Sequence, residues 1–94
     1  MANIDEELRL AGEAKNAIEK MPREILKILR KAALVTRTTT FSSKATLNKA
    51  RRKVGSALES LIPALEANRE TPIRMNKATI AIDEWIRELK AARP

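Results

Sequence analysis

Apolar residues return every three or four positions along four stretches of this chain, and the stretches are separated by a proline or by runs of polar residues. That period is the helical one, in which positions i, i+3, i+4 and i+7 share a face. Ala, Leu, Ile, Lys, Arg and Glu abound, while one Phe, one Trp and no Tyr leave little for a sheet core. The expectation is an all-α fold with residues 1–94 in one domain. At 94 residues the buried fraction of the surface is modest, so oligomerisation would help.

The first helix is expected over about residues 4–20. Asn3 and Glu6 have capping-box spacing, and Ile4, Leu8, Ala11, Ala14, Ile18 and Met21 form its stripe. Its alanines permit close packing but bury little area each. Pro22 suits the first position of a second helix over about 22–36, with Ile25, Leu26, Ile28, Leu29, Ala32, Ala33 and Val35 on one side and Arg23, Lys27, Arg30 and Lys31 on the other. Thr36 to Ser43 combines poor helix formers with hydroxyls that compete for backbone bonds and reads as a connection. A third helix, capped by Ser42 or Ser43, is expected over about 44–62, with a kink or break near Ile62 forced by Pro63. Thr71 and Pro72 make a cap and first residue for a fourth helix over about 72–92. Its stripe of Met75, Ala78, Ile82, Trp85, Ile86, Leu89 and Ala92 marks the lone Trp85 as a core or interface anchor rather than a base-stacking platform.

The net charge of +7 comes from one place. Eleven of nineteen basic residues lie between Lys20 and Lys53 with Glu24 as the single acid, whereas residues 54–94 balance six against six. A concentrated positive field points to a polyanionic partner, although a charge run also serves as a solvated face. With no Cys and no His, thiol nucleophiles, common zinc ligands and the usual general base near neutral pH are missing. Asp83-Glu84 and Asp5-Glu6-Glu7 read as surface or helix-terminus charges, and Ser42 and Ser43 lack a histidine to activate them. No enzyme activity, cofactor, metal or small-molecule substrate is expected. An acidic amino terminus and the lack of a long apolar run suggest a soluble, cytoplasmic protein.

Helical arithmetic gathers the charge. With Leu47 at 0°, the apolar stripe of the third helix lies between about 280° and 60°, while Lys49, Arg52 and Lys53 fall near 200°, 140° and 240°. Ser56 and Ser60 lie among them, so no bulky side chain keeps a sugar-phosphate backbone at a distance. With Phe41 and Trp85 the only aromatics, this face suits duplex shape and charge better than unstacked bases. Arg51, near 40°, borders the apolar stripe and could reach outward or pair with an acid; Lys44, near 60°, could do the same.

Two stretches resemble the nodavirus RNA-silencing suppressors, the small nonstructural proteins called B-two. They are Ile18-Glu-Lys-Met-Pro-Arg-Glu-Ile25, and Leu47-Asn-Lys-Ala50 continuing through Val54 to Ser60-Leu61. The resemblance implies an antiparallel homodimer of helical hairpins, a four-helix bundle with an additional C-terminal helix. Such a dimer lies along one face of double-stranded RNA, independently of sequence, in the cytoplasm of the host cell. It would shield long duplexes from dicing and sequester small interfering RNA. Lys49 matches a basic contact position of that family, with Lys53 and Thr46 neighbouring it. Ser56 stands where an important arginine is expected, which implies a phosphate contact moved to Arg52 or Lys53. The link between the two stretches is shorter than in the family, and the Trp85 helix has no counterpart.

Three other readings share the charge pattern. A small helical inhibitor of phage or plasmid type could present its basic amphipathic helix to an acidic protein. Lipid contact by the 23–35 stretch competes with burial of the same apolar residues in the core, which is the expected outcome. A DNA-binding architectural role lacks a helix-turn-helix signature or a groove-binding arm.

Overall fold

The structure, a computed structural model, describes residues 4–38, 45–69 and 71–93. They form α1 (Ile4–Lys20), α2 (Ile25–Thr38), α3 (Ala45–Glu66) and α4 (Pro72–Ala92), with no strand among the described residues. The caps expected at Asn3 and at Ser42 or Ser43 lie outside the described residues.

Each helix packs against its neighbours in the chain, and α4 closes on α1, whereas the diagonal pairs α1/α3 and α2/α4 have no close backbone approach. The result is a square ring 39 Å long and about 20 Å across. Side-chain partners show the sense of the helices. Lys53 meets Glu84 and Ser60 meets Arg74, so the α4 partner number falls as the α3 number rises. Asp5 with Arg93 and Lys15 with Asp83 show the same for α1 and α4. Neighbouring helices are therefore antiparallel, as short connections require.

The core is built from the apolar stripes. Ala11, Ala14, Ala17 and Ile18 of α1 and Ile25, Leu29 and Ala32 of α2 meet Leu47, Ala50, Val54, Leu58 and Leu61 of α3 and Ala78, Ile82, Trp85 and Leu89 of α4. The flank of α3 opposite Lys49, Arg52 and Lys53 is thus covered by the same chain. The C-terminal helix, expected as an addition to a bundle made from two chains, is here one of four members of a ring that a single chain closes.

Four local expectations are corrected. Pro22 does not begin α2: the chain turns through Met21 at φ 51°, and Ile25 starts the helix after an Ile25 N–H bond to the Pro22 carbonyl. That turn carries Met21 out of the α1 stripe, leaving it 47% exposed. α2 continues two residues beyond Thr36, because the Thr36 and Thr38 hydroxyls donate to the Ala33 and Leu34 carbonyls at 2.8 Å instead of competing for the helix N–H groups. α3 passes through Pro63 to Glu66. Proline removes one ladder bond, on an exposed side, while Leu61 and Ala64 stay buried beside it. The helix ends instead in a Schellman motif, with Asn68 at φ 54° and bonds from Asn68 N–H to Leu65 and from Arg69 N–H to Ala64. Thr71 and Pro72 open α4, but the Thr71 hydroxyl makes no capping bond. No described helix is long and apolar enough to cross a membrane.

Candidate nucleic-acid interface

The outer face of α3 meets α4 in an open groove of about 830 Å³. Lys49, Arg52, Lys53, Ser56 and Ser60 all line it and all are exposed. Thr46 is exposed near the start of α3 but does not line the groove. From Lys49 to Ser60 the helix rises roughly 17 Å at ~1.5 Å per residue, so the cations and hydroxyls form a short track.

The far wall comes from α4. Lys77 lines the groove, and Arg74 continues it past Ser60, donating from Nε to the Ser60 hydroxyl at 3.2 Å. The α4 cations carry no mark in the sequence that would assign them to this track. Arithmetic within one helix cannot show which face of a second helix will stand beside it; only the antiparallel pairing of α3 and α4 brings Lys77 and Arg74 to this track. Glu84 is the one acid among the described residues that line the groove, and its carboxylate lies 3.4 Å from the Lys53 ammonium. Both groups are wet, so the pair is weak. Lys49, Arg52 and Lys77 have no carboxylate partner among the described residues.

Arg51 behaves differently. It is 4% exposed and reaches across the bundle to Glu7 of α1, itself 1% exposed. Arg51 Nε–H and Nη2–H donate to the two Glu7 oxygens at 2.8 Å each, and the Trp85 indole N–H donates to Glu7 Oε2 at 2.7 Å. Asn48 Oδ1 accepts from Arg51 Nη1–H at 3.1 Å. Removing two charges from water costs several kcal/mol per ion, so only such a two-pronged, fully bonded arrangement is tolerable. Among the described residues no buried side-chain nitrogen or oxygen lacks a partner. Trp85 is fully buried and its polar edge is engaged, which leaves it unable to stack on a base.

On the outside of the α1/α4 seam, the Lys15 ammonium meets the Asp83 carboxylate at 2.6 Å. The hydrogen bond to Asp83, then its charge, hold Lys15 above the usual lysine range. Among the described residues no group of three or more His, Cys, Asp or Glu side chains gathers to hold a metal ion.

The chain matches no protein-family model, no curated protein and no solved structure.

Proposed function

We propose that the α3/α4 groove binds the sugar-phosphate backbone of double-stranded RNA independently of sequence. The observation that carries this reading is the gathering of Lys49, Arg52, Lys53 and Lys77 along one open track, with Ser56 and Ser60 between them. Lysine and arginine neutralise phosphates, and small hydroxyls allow the close approach that ribose 2′-hydroxyl contacts need. With Trp85 sealed in the core, single-stranded bases find no stacking platform among the described residues.

In the wider reading that follows from the resemblance, a viral suppressor of RNA silencing shields duplex RNA from dicing and holds small interfering RNA. A second copy would extend the track along the duplex. The resemblance supports that reading through Lys49 and Lys53, which line the groove.

A gel-shift panel of duplex RNA, duplex DNA and single strands of one sequence tests the proposal. Duplex RNA is expected to bind most tightly. With about four phosphates neutralised per chain, affinity should drop on the order of two decades between 50 and 200 mM salt. Equal binding of single strands, or affinity indifferent to salt, would sink it. Light scattering with and without RNA decides whether a second copy takes part.

A second reading is favoured by Ile73 and Ile80, which are 73% and 59% exposed along the same groove. Isoleucines beside cations suit an acidic amphipathic helix, as in a small inhibitor of a protein partner. Its signature is tight capture of a defined acidic protein with no shift of duplex RNA.

A further inference from the structure

Arg52 and Ser56 form a crest with a hollow on each side. One is the α3/α4 groove; the other is a pocket of about 340 Å³ between α2 and α3. Among the described residues the lining of this second hollow is polar or charged apart from Gly55, although the carbon stems of those side chains make up much of its wall. Arg37 comes from α2, Arg51 and Arg52 come from α3, and Glu59 is the one acid among the described residues that line it.

The space has a backbone cause. Gly55 faces Thr36, and a Cβ on Gly55 would stand 3.2 Å from the Thr36 hydroxyl oxygen, which is held by its bond to the Ala33 carbonyl. The two helices therefore approach closely at the pocket wall without a side chain filling it. Arg51 is held by Glu7 and Asn48, so this cation cannot swing away to solvent. Arg37 and Arg52 are exposed, have no carboxylate partner among the described residues, and come from different helices. A group with several oxygens can take both forks at once.

We propose that this pocket binds a phosphate monoester with a hydroxylated body, as in a nucleotide or sugar phosphate. The phosphate lies between Arg37 and Arg52, and a ligand hydroxyl donates to Glu59. Size supports a body beyond the phosphate: at about 30 Å³ per liquid water, the hollow equals roughly ten waters, more than a bare phosphate displaces. Glu59 disfavours a second anionic group and accepts from a hydroxyl. The site does not depend on duplex binding in the neighbouring groove. Because Arg52 and Ser56 belong to both hollows, the phosphate has two possible sources, a free nucleotide or the phosphorylated end of an RNA strand.

The test follows backbone amide shifts of Gly55, Ser56 and Glu59 in the full chain during titration with adenosine 5′-monophosphate and, separately, adenosine. The monophosphate should give saturable shifts, with adenosine at least about tenfold weaker, since charge-assisted bonds supply the difference. Arg37→Gln, at an exposed residue outside the α3/α4 groove, should weaken the monophosphate about tenfold. Lys77→Gln, in that groove but not in this pocket, should change it by less than about twofold. Equal affinity for adenosine, equal losses from both variants, or no saturation by about 10 mM would overturn the proposal. Duplexes with and without a 5′-phosphate then distinguish the sources. Preference for the phosphorylated end identifies a strand terminus, and indifference, with the monophosphate still bound, identifies a free nucleotide.

Discussion

Arg51 and Arg52 are neighbours with the same side chain, yet α3 turns one into the centre of the bundle and the other onto its outer face. Arg51 is fixed by Glu7 and Asn48, and the same Glu7 carboxylate takes the Trp85 indole. Arg52 has no carboxylate partner among the described residues and looks onto two hollows. A block of basic residues is therefore not one functional unit. One member is structural and joins diagonal helices that have no close backbone approach, while Lys49 and Arg52 face outward with no carboxylate partner among the described residues.

Removing either partner of the buried pair should break this division most severely. Arg51→Met leaves the Glu7 carboxylate buried beside only the indole N–H, and Glu7→Leu strands the guanidinium; each should cost about 3–5 kcal/mol. A small domain has about 5–15 kcal/mol in total, so urea midpoints should fall sharply for both single variants. The double variant should lose less than the sum of the two, because neither charge is then left alone. Single losses below about 1 kcal/mol would show that the fork is dispensable.

On the outer face the same kind of change should leave the fold alone. Lys49→Gln, Arg52→Gln and Lys77→Gln should each shift stability by no more than about 0.5 kcal/mol. Each should weaken duplex RNA binding for unrelated sequences alike, and reduce the salt slope by about one. A variant that weakens binding without altering that slope would take its residue off the phosphate track.

The single tryptophan reads the core side directly. Trp85 is fully buried and bonded to Glu7, so its fluorescence should redden on unfolding and in Arg51→Met. Saturating duplex RNA should leave the emission unchanged. A shift on RNA binding would mean that the outer face and the core fork are coupled.

The sequence shows how far this division could be read in advance. Helical spacing placed Lys49, Arg52, Lys53, Ser56 and Ser60 on one face, and one groove holds them all. The signal for the fork was also present. With Ile4 at 0°, Glu7 falls near 300°, among Ala11, Ala14 and Ile18 at about 340°, 280° and 320°, so an acid stands inside an apolar stripe much as Arg51 borders another. What no single helix discloses is the pairing between them. Glu7 and Arg51 are 44 residues apart and meet only because α1 and α3 are diagonal in a ring that α4 closes. Lys77 and Arg74 reach the α3 track through the same kind of pairing between helices. At Pro63 a local rule was overruled by burial of Leu61 and Ala64 and by the Asn68 turn, which supplies the real helix end.

Lys15 and Asp83 offer the smallest test, between the dry fork and the free cations. Their oxygen and nitrogen are 2.6 Å apart, but both side chains are substantially exposed, so water screens the attraction. Asp83 raises the Lys15 pKa above its ordinary value. The folded state therefore holds this proton more tightly than the unfolded chain does. The stabilisation is complete below the unfolded lysine pKa of about 10.4 and is lost as pH rises through the higher folded value. The difference in urea midpoint between the wild type and Lys15→Gln should accordingly be small and flat from neutral pH to about pH 10, and close only above it. A difference that closed near neutrality instead would place its origin in some group other than this ammonium.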